Sequence, residues 1–159
     1  MRELQVRNRQ SARAINTKEV REIARVLLEV ELGLPRYELA VHFVSARKMA
    51  EINWEFLQHE GSTDVISFDY REGYAEGAAE FEGLDLAGEI YISVADAEKQ
   101  AREFGTKWQE EIVRYVVHGV LHLRGYDDLV PAKRRVMKRE ENRLVRRMQG
   151  RFELRKVAG

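Results

Sequence analysis

The sequence predicts a single α+β domain, in which a small mixed four-stranded sheet has several helices packed against it. Three observations indicate this fold class: short segments alternate apolar and polar residues, longer segments repeat apolar residues at helical spacing, and glycine or proline separates them. A chain of 159 residues can bury a core of its own. We therefore expect one domain over residues 1–149 and a basic C-terminal tail over residues 150–159, which we expect to be frayed.

The N-terminal part of the chain predicts a strand followed by a helix. Leu4 and Val6 alternate with polar residues over residues 3–9, as expected of a strand. An amphipathic helix is expected to begin with Thr17 as its N-cap and to end at Gly33.

The middle of the chain predicts three more strands. Strict alternation over residues 37–44 indicates a half-buried strand, after which Ser45 caps a helix. Residues 65–68 and 88–93 are the other two strand candidates. The stretch 69–86 between them is rich in glycine and glutamate, has no clear period and is expected to be a long connection.

Three helices complete the predicted fold. The first is capped by Ser93 and ends at Gly105. The second covers residues 107–123 and carries two histidines, and the third covers residues 132–148.

The composition is that of an ordinary globular protein, with 44% hydrophobic and 34% charged residues. No apolar run is long enough to span a bilayer, and the N-terminal residues do not resemble a signal peptide, so we expect a cytoplasmic protein. The absence of cysteine excludes disulfides and thiolate ligands, so a zinc site would need histidine and carboxylate ligands.

The net charge of zero hides a basic C-terminal region. Residues 133–156 contain eleven lysines and arginines against three glutamates, whereas acids predominate over residues 69–103. Such a region suggests an anionic partner, with nucleic acid the first candidate. The alternative is a solvated helix that the charges merely keep soluble.

The most informative motif is His118–His122–Gly125–Asp128. An i, i+4 histidine pair lies on one helical face, so both rings can reach one ion. Gly125 can end the helix in the left-handed conformation and let Asp128 return as a third ligand. Three ligands leave a fourth position of a tetrahedral zinc open, as in a catalytic site. The alternative is a pair of core histidines held by backbone carbonyls, with Asp128 capping a turn.

A zinc with an open position lowers the pKa of a bound water to near 7 and so supplies a nucleophile for attack on a carbonyl or phosphoryl group. Zinc peptidases of the H-E-x-x-H type carry a glutamate base directly after the first histidine, where this chain has Gly119. A peptidase is therefore disfavoured, although Glu111 or Glu89 could substitute for that base.

Several segments together resemble one known family. Residues 118–127, HGVLHLRGYD, resemble the signature of the YbeY family, single-strand endoribonucleases linked to rRNA maturation. Residues 63–68, TDVISF, are similar to its T-D-V-L-S-F strand, and residues 88–93, GEIYIS, to its G-D-I-x-I-S strand. Three further residues stand at matching positions: Asn53, Met137 and Glu141.

The resemblance implies an α+β domain with one zinc per chain, bound here by His118, His122 and Asp128. It also implies a single-strand-specific endoribonuclease that acts in rRNA 3′-end maturation and ribosome quality control. The expected partners are single-stranded RNA, rRNA and the small ribosomal subunit, with neither a membrane nor DNA.

Two residues depart from the family pattern. Asp128 stands where the family usually has a third histidine; aspartate is a competent zinc ligand, and its charge should make the bound water slightly less acidic. Leu57 stands where the family commonly has an arginine implicated in activity. A phosphate contact carried there would be missing or supplied by another residue such as His59, for which a surface role is the alternative.

The general base is not identified by the sequence. Asp64 and Glu89 are candidates for the base or for orienting a ligand histidine, and strand-edge capping is the alternative for each. Arg124 is a candidate phosphate contact, with an exposed loop arginine as the alternative. Attack by the 2′-hydroxyl of the RNA, with zinc as Lewis acid, is equally compatible with these residues.

Further RNA contacts are expected outside the metal site. Trp54 and Trp108 could stack on bases, although core packing is the favoured interpretation for both. Non-specific backbone contacts are expected from six basic residues: Arg134, Arg135, Lys138, Arg139, Arg146 and Arg147.

Two other functions remain open at this point: a ribosome assembly factor whose metal is mainly structural, and a zinc hydrolase of another substrate such as peptides.

Overall fold

The computed structural model describes residues 1–72 and 81–159, so part of the predicted connection 69–86 lies outside the described residues. The fold class is confirmed: the chain is α+β, with a mixed four-stranded sheet. The strands are β1 (Arg2–Arg9), β2 (Tyr37–Val44), β3 (Val65–Asp69) and β4 (Leu86–Ser93). The helices are α1 (Thr17–Val26), α2 (Ala46–Ile52), α3 (Val94–Phe104), α4 (Trp108–Leu123) and α5 (Pro131–Arg151).

The strand order in the sheet is β1-β2-β4-β3. β1, β2 and β4 run parallel, and β3 pairs antiparallel with β4, placing Ser67 opposite Ile90 and Phe68 opposite Glu89. Because successive side chains of a strand point to opposite faces, Ile90 and Glu89 face different sides of the sheet. This alternation decides which residues can reach the helices.

One face of the sheet is buried under α1, α4 and α5, whose apolar residues join those of β2 and β4 in the main core. α4 lies especially close to β4. A Cβ atom on Gly119 would come within 2.7 Å of Ile90 Cδ1, so position 119 has no space for a larger residue. The other face is covered in part by α2, where Met49 and Ile52 pack with Ile66.

Most predicted helix boundaries agree with the structure. The side chains of Ser45 and Ser93 cap α2 and α3, and Gly105 ends α3 in the left-handed conformation. The N-cap predicted for the first helix is wrong: Asn16 Oδ1 accepts the Glu19 backbone N–H at 3.2 Å, which makes Thr17 the first helical residue. That helix ends in a π-helical turn, Leu27–Glu31, and α2 continues into a similar turn, Asn53–Leu57.

The expectation that residues 150–159 are frayed is also wrong. α5 continues to Arg151, and a 3-10 turn, Leu154–Val157, follows. Val157 is fully buried, and its side chain is part of the main core. The segment is also held by the N-terminal part of the chain: Asn16 N–H donates to Val157 O at 2.8 Å, and Ile15 pairs with Ala158.

Of the helices described in residues 1–72 and 81–159, none combines the length and the hydropathy that crossing a membrane requires.

Candidate metal centre

The two histidines of the motif lie one turn apart on α4. Its aliphatic side chains, including Ile112, Val116 and Val120, are buried in the core. His118 and His122 lie on the other side of the helix, with their Nε2 atoms 3.1 Å apart and ring centroids 4.7 Å apart. Both rings therefore direct a nitrogen to the same point.

A Schellman motif ends α4 directly after the second histidine. Gly125 adopts a φ of +95°, and its N–H donates to His122 O at 3.0 Å. The N–H of Tyr126 donates to Leu121 O at 3.0 Å, which completes the pair of bonds that defines this motif. The Tyr126 side chain packs against the core, so the chain is fixed as it reverses direction.

Two further hydrogen bonds position Asp128 beneath the histidines. Asp127 Oδ1 accepts the Leu129 N–H at 2.8 Å, and Arg134 Nε donates to Asp128 O at 2.9 Å. Asp128 Oδ2 then lies 3.4 Å from His122 Nε2 and 3.7 Å from His118 Nε2. The sequence analysis predicted that Arg134 contacts nucleic acid. Its hydrogen bond to the backbone oxygen of Asp128 could not be predicted from any pattern in the sequence.

The three side chains fit a tetrahedral zinc. Their ligand atoms all lie within 4.8 Å of one another, and bonds of 2.0–2.1 Å at tetrahedral angles imply separations of roughly 3.3 Å between ligand atoms. The side chains are 25%, 30% and 39% exposed for His118, His122 and Asp128, so a substrate can approach an ion held there. In the part of the chain that the structure describes, this is the one such group of histidine and acidic residues.

A buried carboxylate on α5 supports the first histidine. Glu141 Oε1 lies 2.6 Å from His118 Nδ1, so it accepts that N–H and leaves Nε2 free as a ligand. Lys138 and Arg114 also donate to Glu141, at 2.9 and 2.7 Å. Burial raises the pKa of the Glu141 carboxyl, but the hydrogen bonds from these three residues outweigh it and lower the pKa to about 2.

Sequence reasoning missed this role of Glu141, for which it had proposed Asp64 or Glu89. A signal was nevertheless present: Met137, Glu141 and Leu144 follow the spacing of the buried face of α5. A charged residue at a position that periodicity assigns to the core requires a partner in the fold.

The three catalytic candidates lie in different places. Asp64 lines two clefts that also contain His118 and Asp128. Glu89 faces the other side of the sheet, where its Oε1 lies 3.1 Å from His42 Nε2. Arg124 hydrogen-bonds the backbone oxygen of Asp85 and lines neither cleft. We call His118, His122 and Asp128 the metal group. Of the three catalytic candidates, the structure therefore brings only Asp64 together with the metal group.

The two clefts meet at the metal group. We call the first the helical cleft: it has a volume of about 470 Å³ and is lined by residues of α3, α4 and α5, including Gln100, Tyr115 and Met137. We call the second the strand cleft: it has a volume of about 480 Å³ and is lined by Asn53, His59 and residues of β3. Each volume is sufficient for a small organic group.

The strand cleft is lined by Leu57, which stands where the family commonly has an arginine, and by His59, the residue expected to replace that contact. Leu57 and His59 line it together with His118 and His122. Asn53 is buried beneath them, and its side chain donates to Gly61 O at 2.9 Å, which fixes the turn that carries His59. His59 and Leu57 thus line the same cleft as His118, His122 and Asp128.

The tryptophans differ in burial. The preference for core packing is wrong for Trp54, which is 58% exposed on the π-helical turn after α2. Trp108 packs against the main core, and Arg13 lies 5.9 Å above its ring.

The basic residues of α5 are only partly available to an external partner. Arg147 pairs with Glu31, and Lys138 pairs with Glu141. Among residues 1–72 and 81–159 we find no ion-pair partner for Lys133, Arg135, Arg139 and Arg146.

Comparison with known proteins identifies the family. The family model described as Endoribonuclease YbeY matches residues 5–149, nearly the whole chain. The chain belongs to the YbeY family. YbeY relatives named Endoribonuclease YbeY include one from Bacteroides fragilis, 37% identical over 68% of this chain and 70% of its own length. Another, from Desulforamulus reducens, is 36% identical over 82% of this chain and 85% of its own length.

A solved structure is similar to this YbeY chain over most of its length. The solution structure of TM1509 from Thermotoga maritima superposes with a TM-score of 0.65 and 25% sequence identity. The match covers 93% of this chain and 90% of the other. The fold of the sheet and helices around the metal group is therefore shared with that protein.

Proposed function

We propose that the chain is a zinc-dependent endoribonuclease specific for single-stranded RNA. The observation that carries this proposal is the convergence of His118, His122 and Asp128 on one point, with ligand atoms 3.1–3.7 Å apart, in a chain of the YbeY family. When bound there, zinc supplies a Lewis acid for the phosphoryl oxygen and an activated water. The relatives are named endoribonucleases, which supports RNA as the substrate.

The residues around the metal group have separable roles in this proposal. Glu141 holds the His118 ring so that its Nε2 would face a bound ion. Asp64 is the proposed proton acceptor, because it lines both clefts with the metal ligands. Its two oxygens accept from Val65 N–H and Gln100 Nε2, at 2.8 Å each, so the carboxylate is held in place.

A peptidase is disfavoured by the contact between Gly119 and Ile90. The base of H-E-x-x-H peptidases would stand at position 119, where even a Cβ atom lies 2.7–2.9 Å from three atoms of Ile90. Position 119 therefore cannot carry a glutamate without moving α4 away from β4. Glu111, the other proposed substitute, lines the helical cleft and accepts a hydrogen bond from Thr106 at 2.8 Å.

The test is cleavage of labelled single-stranded RNA by zinc-loaded protein. We expect His118→Ala and Asp128→Ala to lose cleavage, whereas His42→Ala, a histidine on the other face of the sheet, keeps it. Equal cleavage by all three variants would contradict the proposal, because the activity would then come from another site or a contaminant. Casein is the matched substrate for a peptidase; casein cleavage that depends on His118 would favour that function instead.

Binding of RNA should depend strongly on salt. Lys133, Arg135 and Arg139 on α5 are exposed and lack ion pairs with described residues, so their proposed role is to neutralise RNA phosphates. We expect the affinity for single-stranded RNA to fall linearly with salt on a double logarithmic plot, with a slope of roughly −0.7 per neutralised phosphate. A flat salt response would remove this electrostatic contribution.

We further propose that the cellular substrate is rRNA, cleaved during 3′-end maturation and ribosome quality control in the cytoplasm, with the small ribosomal subunit as partner. The support is the family resemblance together with the basic surface of α5. Mapping rRNA 3′ ends in cells that carry only the His118→Ala chain tests it. Unprocessed 3′ ends are expected, and correctly processed ends would contradict this assignment.

A further inference from the structure

The helical cleft contains polar groups that the metal centre does not use. Beside His118 and Asp128 it is lined by Asp64, Gln100, Glu111, Arg114 and Tyr115, with Phe104 at its edge. Phe104 is 70% exposed, whereas Tyr115 and Glu111 are 4% and 6% exposed. The cleft thus combines an accessible aromatic ring with recessed hydrogen-bonding groups.

Tyr115 provides the strongest indication of a ligand. Among the residues that the structure describes, the buried Tyr115 hydroxyl has no hydrogen-bond partner, and no other buried side-chain polar atom shares this condition. Leaving such a group unpaired destabilises the folded state, and phenylalanine would fill the same space without this penalty. A hydroxyl at this position is therefore explained by a ligand group that it meets in the bound state.

Neighbouring groups retain further hydrogen-bonding capacity. Gln100 Nε2 donates to Asp64, but no described residue donates to the Gln100 side-chain oxygen. Arg114 uses Nη1 for Glu141 and Asn142, and its Nε and Nη2 bond to no described residue. Among the described residues, Glu111 accepts a hydrogen bond only from the Thr106 hydroxyl, through Oε1. The free groups are two acceptors, one planar donor and a hydroxyl.

These groups have the chemistry of a nucleobase site. A base is flat, fits a cleft of about 470 Å³ and carries donors and acceptors on one edge. Carboxylates and amide oxygens accept N–H groups, so Glu111 and Gln100 suit bases with an exocyclic amino group. Uracil has no amino group: its edge presents one N–H between two carbonyl oxygens, so it offers these acceptors fewer hydrogens and places a carbonyl oxygen beside the Glu111 carboxylate.

Cations at the entrance suit the phosphate of the same nucleotide. Lys138 and Arg134 line the cleft, and both side chains are exposed. Arg134 also lies beside the metal group, because it donates to the backbone oxygen of Asp128. A nucleotide with its base near Tyr115 would thus have its phosphate near these side chains.

We propose that the helical cleft is a nucleotide subsite that binds an amino-bearing base next to the scissile phosphate. The subsite rests on the proposed endoribonuclease function and gives that enzyme a preference for adenine, cytosine or guanine over uracil beside the cleavage position. Tyr115, Gln100 and Glu111 contact the base, and Phe104 stacks on its exposed face.

The test is titration of isotopically labelled, zinc-loaded protein with the four nucleoside 5′-monophosphates, followed by NMR. These nucleotides contain no internucleotide bond, so their binding is measured separately from cleavage. We expect shift changes at Gln100, Arg114 and Tyr115, and binding of UMP roughly tenfold weaker than that of the tightest of the other three. Tyr115→Phe should weaken binding of that nucleotide roughly threefold to tenfold.

Tyr91→Phe is the matched control, because it removes the same atom from a tyrosine outside both clefts. It should leave nucleotide affinity unchanged. Tyr115→Phe should also keep or raise the melting temperature of the free protein, whereas a hydroxyl with a purely structural role would lower it when removed.

Shift changes confined to Lys133, Lys138 and Arg139, unaffected by Tyr115→Phe, would overturn the subsite because they indicate phosphate contacts alone. Binding of acetylated amino-acid amides in the cleft, without nucleotide binding, would overturn it in favour of a peptide ligand. The two proposals fail separately. If the protein binds nucleotides in the cleft but does not cleave RNA, the endoribonuclease proposal fails; if it cleaves RNA but nucleotides miss the cleft, the subsite fails.

Discussion

Two histidine–carboxylate pairs lie on opposite faces of the sheet. On the helical face, His118 Nδ1 lies 2.6 Å from Glu141. On the other face, His42 Nε2 lies 3.1 Å from Glu89, and the His42 ring stacks on Tyr91 with centroids 4.6 Å apart. Each pair would satisfy a simple search for a histidine held by an acid.

The second ring nitrogen separates the two pairs. His118 Nε2 faces His122 and Asp128, so its ring links a supporting carboxylate to a group of ligands. His42 lies on a strand, where the neighbours on its face two residues away are Ala40 and Val44, neither of which can bind a metal. A histidine–carboxylate pair thus indicates a metal site only where other ligands converge on its free nitrogen.

Loss of a metal ligand should have the largest effect, a loss of zinc affinity. His122→Ala and Asp128→Ala each remove one of three ligands, so we expect zinc affinity to fall by more than about 100-fold, beyond the loss typical of a supporting residue. His42→Ala should keep one zinc per chain. Metal analysis after gel filtration in dilute chelator measures the difference. Loss of zinc from His42→Ala would show that the two pairs are not distinct in this way.

Loss of the supporting carboxylate should have a smaller effect. Glu141→Gln retains a hydrogen-bond acceptor for His118 but loses the charge, so zinc affinity should fall roughly tenfold to 100-fold. Glu89→Gln is the matched control, because it makes the same change beside His42. Competition with a chromogenic chelator measures both affinities. Equal losses in the two variants would contradict the role assigned to Glu141.

Acid should destabilise the metal-free protein through Glu141. Its pKa is about 2 in the folded protein against an ordinary 4.5, so the unfolded chain takes up the proton more readily. The resulting stability is present above pH 4.5 and is lost as the pH falls towards 2. We expect this carboxyl to contribute on the order of 3 kcal/mol. Urea unfolding from pH 5 to pH 2 should show a smaller acid loss in Glu141→Gln, and an unchanged loss would contradict the prediction.

A substitution at Gly125, in the turn that leads to Asp128, should have the smallest of these effects, a small change in the free energy of unfolding. Gly125→Ala places a side chain at a φ of +95°, which should cost about 1 kcal/mol of unfolding free energy. Gly150→Ala, within α5, should stabilise by up to about 1 kcal/mol. A Cβ atom at either position meets no atom of the described residues within 4 Å, so the pair isolates the backbone effect. Destabilisation of the same size by both changes would contradict this explanation.

Sequence reasoning predicted features whose causes are local. The i, i+4 spacing places His118 and His122 on one helical face, and Gly125 ends the helix through a conformation that other residues avoid. The strand over residues 37–44 was predicted with its observed limits, because strict alternation leaves little freedom in its boundaries. The N-cap was misassigned by one residue, since Asn16 and Thr17 both have capping side chains.

Features that depend on distant segments could not be predicted in this way. From the sequence, Asp64 and Glu89 could not be distinguished, because both are carboxylates near strand ends. Packing of α4 on the Ile90 face of β4 left Glu89 on the far side, whereas Asp64 reached the clefts. Likewise, residues 150–159 were expected to be frayed, but Val157 is buried in the core and its carbonyl accepts the Asn16 N–H.

The sequence by itself thus determined the fold class, the histidine pair and the turn that follows it, because periodicity and backbone preference act over a few residues. Only the tertiary structure decided that Glu141, 23 residues beyond His118, supports that ring, and that the Tyr115 hydroxyl lies in a cleft without a hydrogen-bond partner among the described residues. The physical reason is that a buried polar group is satisfied by whichever element packs against it, and that choice is made by the whole core at once.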